Sequence, residues 1–233
     1  YFLKKSRRFS LAPKDALCGT HIAVRVCSAG FPTAIFSALM CVSTIVLNLI
    51  LVVYGNAPVA AIGIIFKANM FITFLQMGLA NGVQPIFGYS YGAGDIKRFA
   101  DTERFTKLCC FVVGLAATAL YFFLREPIIG LFVGDSDVIA YGVQMLIAYM
   151  LSGPFIGFLF VNMNCMQSVG RALPATVLSV LRQGLLLIPL LYLLNVIAGL
   201  NGVIYGQSIT DYITIILSCV VWRRIRRGLE QRT

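Results

Sequence analysis

Six long apolar stretches constrain this chain more than any other feature of its sequence. They run approximately 31–54, 59–86, 105–124, 138–167, 172–194 and 203–222. Crossing about 30 Å of hydrocarbon at 1.5 Å per residue takes about 20 mostly apolar residues, and all six meet that requirement. The second and fourth exceed it and include polar residues, so tilt, kinks or projecting ends are expected there. None alternates with period two, and all are too long for barrel strands. The fold expected is an all-α integral membrane protein: a six-transmembrane-helix bundle over 30–222. A cytoplasmic or interfacial linker at 1–29 precedes it, and a basic cytoplasmic tail at 223–233 follows. Composition agrees, since 59% of residues are hydrophobic and only 12% charged, a balance that no ordinary water-soluble domain has.

The basic residues fall on one side of the spans. Lys4, Lys5, Arg7, Arg8, Lys14 and Arg25 precede the first, and Lys97, Arg98, Arg104 and Lys107 flank the connection from the second to the third. Arg171 lies between the fourth and fifth, and Arg223, Arg224, Arg226, Arg227 and Arg232 follow the sixth. On the other side only Arg125 appears, beside Glu126 and followed by Asp135 and Asp137. Short cytoplasmic loops retain Lys and Arg, so a multi-pass cell-membrane protein with both termini cytoplasmic is expected. In a soluble protein the formal charge of +10 would suggest nucleic acid, but that needs one exposed basic face. Here the charges sit between apolar runs, where they orient the helices and meet anionic lipid, so the bilayer is the expected partner and nucleic acid is not.

Catalytic chemistry has little to build on. The seven cysteines lie in or beside the apolar runs with no CxxC pair, and they read as small packing residues rather than metal or redox ligands. His21, the single histidine, reads as an ordinary interfacial residue. No triad, carboxylate pair or metal-ligand cluster has convincing spacing, so neither an enzyme nor a bound metal or cofactor is expected. The first residues are polar and basic, unlike a secretory signal, and the chain opens on Tyr1 rather than Met, as a piece of a longer protein would.

Ionisable side chains at membrane depth are costly and normally face a bundle interior or an aqueous cavity. Lys67 in the second span, Arg182 in the fifth and Asp211 in the sixth are therefore the first functional candidates. The amides Asn48, Gln76, Gln84, Gln144, Asn162 and Asn164 join them, with Asn69, Gln167, Gln183 and Gln207 nearby. Each amide either lines a polar path or bonds between helices to fix packing, and packing is the simpler reading for any one of them. For Asp211 two readings stay open: neutralisation by a basic neighbour, or binding and release of a proton. Gly30, Pro32, Pro85, Pro154 and Pro189 are hinge candidates, with Pro174 bounding a span, because Pro removes a backbone donor and Gly permits close packing. Both residues are also common in membrane helices generally. The run from Gly88 to Gly94 is preceded by no strand and followed by no Gly-Lys-Ser/Thr, so it is no phosphate loop. It reads as a cytoplasmic turn leading into an interfacial helix that carries Asp95 to Arg104.

The stretch Gly78-Leu-Ala-Asn-Gly-Val-Gln84-Pro85-Ile-Phe-Gly88-Tyr-Ser-Tyr91-Gly92-Ala93 resembles the multidrug and toxin compound extrusion (MATE) family. Further resemblance lies in Gly30-Phe-Pro32, Lys67, Gln167-Ser-Val-Gly170-Arg171, Ala172-Leu-Pro174, Leu181-Arg182-Gln183 and Ile188-Pro189, in order along nearly the whole chain. Among subgroups it is most similar to MepA-like bacterial exporters. Members typically have twelve spans in two six-helix lobes, and these segments resemble spans seven to twelve, the carboxyl-terminal lobe. The resemblance implies an amino-terminal lobe as partner. It also implies multidrug efflux of small cationic or aromatic compounds by antiport against protons or sodium ions, the coupling ion standing where a cofactor would. Some members carry acidic residues for coupling in spans seven and ten. The matching first and fourth spans here contain no Asp or Glu, so coupling falls to the other lobe, to Asp211, or in a weaker polar role to Asn48 and Gln144. A lipid-linked oligosaccharide flippase of related fold and a non-transporting membrane scaffold are the alternatives.

Overall fold

The computed structural model describes the backbone of residues 20–230 and, among these, every side chain except 20–33, 36, 229 and 230. The expectations for residues 1–19 and Arg232 lie outside the described residues, as do the side chains of His21, Arg25, Gly30 and Pro32. Helices make up every element: α1 (Thr20–Val52), α2 (Asn56–Gly92), α3 (Ile96–Phe123), α4 (Arg125–Gly130), α5 (Ser136–Met150) and α6 (Gly153–Ser168). There follow α7 (Ala172–Val180), a π-helical segment (Leu181–Leu186) and α8 (Leu187–Glu230).

These elements make six membrane-length rods. α2 and α3 are each long and apolar enough to span, α5 and α6 form one span bent by 44°, and α1 contributes the apolar stretch Ser37–Val52. The run Ala172–Gly228 is a single helical course of 57 residues, but it doubles back inside α8 at Gly199, where φ is 56° and ψ is −138°. That conformation is open essentially to glycine alone. Contacts pair off symmetrically about it: Gly202 against Leu194, Gly206 against Leu191, and Asp211 against Arg182. α8 is therefore a hairpin of two arms, 187–198 and 200–230, which supply the end of the fifth span and all of the sixth. The six-helix all-α membrane lobe expected from the sequence is the fold found.

Two expectations need correction. The segment from Gly88 to Gly92 is the last turn of α2 rather than a loop, and the turn is confined to Ala93–Asp95 with Gly94 at φ 72°. No separate interfacial helix carries Asp95 to Arg104. Asp95 instead caps α3, accepting from the Arg98 amide at 2.9 Å, so one continuous helix runs from the basic loop into the third span. At the ends, α1 already begins at Thr20, inside the stretch expected to be linker, and α8 continues through the described part of the basic tail to Glu230.

The hairpin depends on close approach as well as on a turn. A Cβ placed on Gly202 would collide with the Leu194 carbonyl, which is backbone and cannot swing aside. Gly202→Ala is expected to cost about 1–3 kcal/mol through forced separation of the arms. Gly78→Ala, with nothing within 4 Å of its added carbon, should leave thermal unfolding in detergent unchanged. Equal melting of the two variants would refute this packing.

Apolar layers fill the two ends of the bundle. Leu51, Ile65, Ile72, Met145, Leu146, Leu191 and Ile204 form one. The other, at the basic end, is built around Phe87, Phe99 and Trp222, with ring centroids 5.2 Å and 5.8 Å apart in sequence. Glu103 is buried beside this second layer. It accepts from Trp222 Nε1 at 2.8 Å and pairs with Lys107 at 2.5 Å and Arg226 at 3.4 Å, tying α3 to the end of α8.

Candidate functional site

In hydrocarbon every backbone polar group needs a protein partner, so a helix can break at membrane depth only where side chains take over its freed carbonyls. The break between α5 and α6 meets that condition. Tyr212 donates to the Leu151 carbonyl at 2.6 Å, Gln76 to Gly153 at 2.8 Å and Thr118 to Met150 at 3.4 Å, while Ser208 serves Ala148. Donors from α2, α3 and the second arm of α8 thus hold the irregularity in place. Pro154 sits in the first turn of α6, where its missing amide N–H costs no helical bond.

The second irregularity is the π-helical segment. π turns leave backbone groups out of register, and they recur at functional sites. Here Ser43 of α1 donates to the carbonyl of Gln183, and the adjacent Arg182 is turned toward the second arm of α8. Arg182 Nε lies 2.8 Å from Asp211 Oδ1, with the two side chains only 13% and 6% exposed. Gln207 adds a bond to the same oxygen at 3.2 Å, and Ser152, from the α5–α6 break, donates to Oδ2 at 3.0 Å. One buried carboxylate therefore joins both irregular segments. A buried pair with its remaining lone pairs satisfied is tolerable at this depth, whereas either charge alone would be costly.

In front of this network lies a cavity of ≈ 810 Å³, bounded by α1, α2, α5, α6, α7, the π segment and α8. Its wall is a deformable apolar surface. Met40, Met70, Met77 and Met163 line it, four of the seven methionines, together with Phe66, Phe74, Tyr149 and Phe160. Flexible thioethers and aromatic faces can repack around ligands of different shape. Polar groups cross it in a seam between α2 and α6: Asn164 donates to Asn81 at 2.9 Å and Gln84 to Gln167 at 3.2 Å. Arg182 and Lys67 are its charged lining residues.

Lys67, Gln84, Asn164 and Arg182 are thus gathered on the cavity, with Asp211 directly behind Arg182. Asn69, Gln167, Gln183 and Gln207 line it too, while the remaining amides fall away from it. Gln76 is wholly buried at the α5–α6 break, wedged where Gly114 and Gly157 leave room for it. Asn162 is also buried and donates to Ser218 at 3.0 Å, a bond that fixes α6 against α8. Asn48 turns back on its own helix to the Thr44 carbonyl at 2.9 Å, and Gln144 pairs with Asn201 near the hairpin turn at 2.7 Å. Of the hinge candidates, Pro154 coincides with a bend and Pro189 stands three residues past the π segment, in the first turn of α8, whereas Gly30, Pro32 and Pro85 lie within unbroken helical stretches. Sequence reasoning misses Ser152, the methionine-lined wall and the π segment. The sequence signals for these are Met70 and Met77, seven residues apart on α2, and Pro189 just past the π segment.

A six-rod helical lobe, broken at mid-depth and wrapped around a polar and methionine-lined cavity, has the construction of a half-unit of a membrane transporter. The MatE family model matches residues 32–193, and the chain belongs to that family. It is 30% identical to the multidrug export protein MepA of Staphylococcus saprophyticus, over 98% of this chain and 50% of that protein. It is also 30% identical to MepA of Staphylococcus aureus, over 100% of this chain and 51% of the relative. The chain therefore spans about half the length of the curated relatives it matches. Among solved structures it resembles an inward-facing multidrug resistance MATE family transporter of the MOP superfamily, with TM-score 0.85 at 17% identity. That match covers 92% of this chain and 50% of the other. A MOP superfamily transporter from Pyrococcus furiosus superposes with TM-score 0.83 at 18% identity, over 99% and 53% of the two chains. At these identities the structural likeness establishes the fold.

Proposed function

We propose that this chain is the carboxyl-terminal lobe of a multidrug exporter in the cell membrane, with both termini cytoplasmic, working by cation-coupled antiport. The observation that carries the proposal is the Arg182–Asp211 pair, which borders the cavity and is bonded to both irregular segments. An entering proton or sodium ion competes with Arg182 for Asp211. Each occupancy favours a different packing of the π segment and the α5–α6 break, and that difference in binding supplies the bias for alternating access. Aromatic compounds are held against the methionine and phenyl wall, and a second lobe closes the path. The multidrug export role of the MepA relatives supports export as the direction.

A flippase for lipid-linked oligosaccharides would call for a broad basic cavity. Arg182 is neutralised by Asp211 and, among the described residues, leaves Lys67 as the remaining cation on this wall, which favours the exporter. The test is reconstitution of the natural gene product in liposomes loaded with two xanthene dyes, cationic rhodamine 123 and anionic fluorescein. Imposed proton and sodium gradients are then applied separately. Transport of at least one dye against its concentration under one of the gradients is expected. Dye movement that follows neither gradient would refute antiport, and no movement of either dye would leave the scaffold reading standing.

A further inference from the structure

Lys67 lies roughly 16 Å along α2 from Asn56 at 1.5 Å per residue, about a third of the way along the helix and inside its apolar run. It is exposed and lines the cavity. Among the described residues no carboxylate lies within ion-pair distance of it, and no Asp or Glu lines the cavity. The other lining cation, Arg182, has its charge answered at 2.8 Å by Asp211. Among the described residues the wall therefore presents one uncompensated ammonium, set among methionine and aromatic surface. An ammonium held within a membrane span is stabilised by a counter-charge brought to it, and it repels a second cation.

We infer that Lys67 sets the charge preference of this cavity, pairing with the anionic group of an aromatic amphiphile and disfavouring aromatic monocations. This rests on the reading of the cavity as the export site. The ligand class is an organic anion, carboxylate or sulfonate, carried on a flat apolar body. Neighbouring Phe66, Phe74, Met70 and Met77 take the rings, while Lys67 takes the anion. Arg182 is withheld from that role for as long as Asp211 engages it.

Binding of fluorescein and rhodamine 123 to the purified natural gene product, read by fluorescence anisotropy, tests the inference. The two dyes share a xanthene body and differ in charge. Fluorescein is expected to bind more tightly, and Lys67→Met to lower its affinity about tenfold while raising that of rhodamine 123, as loss of one charge-assisted contact implies. Lys67→Arg should retain the wild-type preference. Because Lys67 is exposed and makes no bond among the described residues, the Met variant is expected to fold normally, and its melting temperature serves as the control. An unchanged ratio of affinities in a folded Lys67→Met variant would overturn the inference and leave gradient-driven export intact. Binding of neither dye would overturn both.

Discussion

Asp211→Asn is expected to abolish ion-driven dye export and, separately, to destabilise the lobe by about 3–5 kcal/mol, the usual consequence of leaving one partner of a buried pair uncompensated. The two effects have different origins. Stability falls because Arg182 is only 13% exposed and loses the carboxylate it faces. Export falls because an amide cannot exchange an ion with the path. A second change separates them. Arg182→Met in the Asp211→Asn background removes the stranded guanidinium and should recover most of the melting temperature, since apolar replacement of a buried pair is often neutral or better. Export should remain absent in the double variant. If the single variant exports at the wild-type rate, Asp211 has no part in coupling. If the double variant melts no higher than the single, the pair is not what holds the π segment to α8.

The second large effect is expected at the basic end. Glu103 gathers Trp222, Lys107 and Arg226 in a site where its own side chain is 5% exposed. Lys107 and Arg226 are 22% and 30% exposed, so water screens those pairs and each contributes modestly. The indole N–H of Trp222 is different, because the residue is 2% exposed and has no route to water. Glu103→Leu should cost about 3 kcal/mol, combining a buried donor left without an acceptor with the weakened ion pairs. Glu103→Gln keeps a carbonyl for the indole and should cost less than half of that. Thermal unfolding in detergent ranks the three proteins, and a Leu variant as stable as the Gln variant would show that the indole bond contributes little to holding α3 against α8. Export by the surviving folded fraction should be unaltered, which distinguishes this contact from the Asp211 network.

Charge at membrane depth is legible from the sequence, because lipid makes ionisable residues rare and therefore conspicuous. Lys67, Arg182 and Asp211 stand out on that ground alone, and the pairing of Asp211 with a basic neighbour is one of the two readings its position leaves open. The hairpin between the fifth and sixth spans is also readable, since Gly199 and Gly202 fall in the gap between two apolar runs. What composition does not reveal is the direction in which each amide faces. The spans are apolar on all sides, so no hydrophobic stripe marks an inner surface, and Gln76 and Asn162 look no different in sequence from Gln84 and Asn164. Geometry separates them: two complete the packing of α6 and two border the cavity.

The breaks are hidden for a related reason. Leu151-Ser152-Gly153 lies inside a continuous apolar run, and only Pro154 hints at the bend. The freed carbonyls are satisfied by residues from distant helices, Gln76, Thr118, Ser208 and Tyr212, so no local signal accompanies them. The π segment has one local hint in Pro189, which offers no N–H to the Leu185 carbonyl, and its other support comes from Ser43 of α1 and Asp211 of α8. Continuity of the helix beyond Gly88 escapes a sequence reading because the glycine-rich spacing suggests a loop, whereas residues of α2, including Phe87, remain packed in the basic-end layer.

The central claim is that the cavity beside Arg182 and Lys67 is a substrate path reached by water from one side of the membrane at a time. Thr73 lines it, so a single cysteine there, in a natural gene product otherwise free of cysteine, reports access directly. Under a given ion gradient, a membrane-impermeant maleimide should label this position from one face of sealed vesicles. Reversing the ion gradient should shift labelling from one face to the other, and a bound dye should suppress it. Labelling that never occurs from either face, or that ignores both the gradient and the dye, would contradict the account.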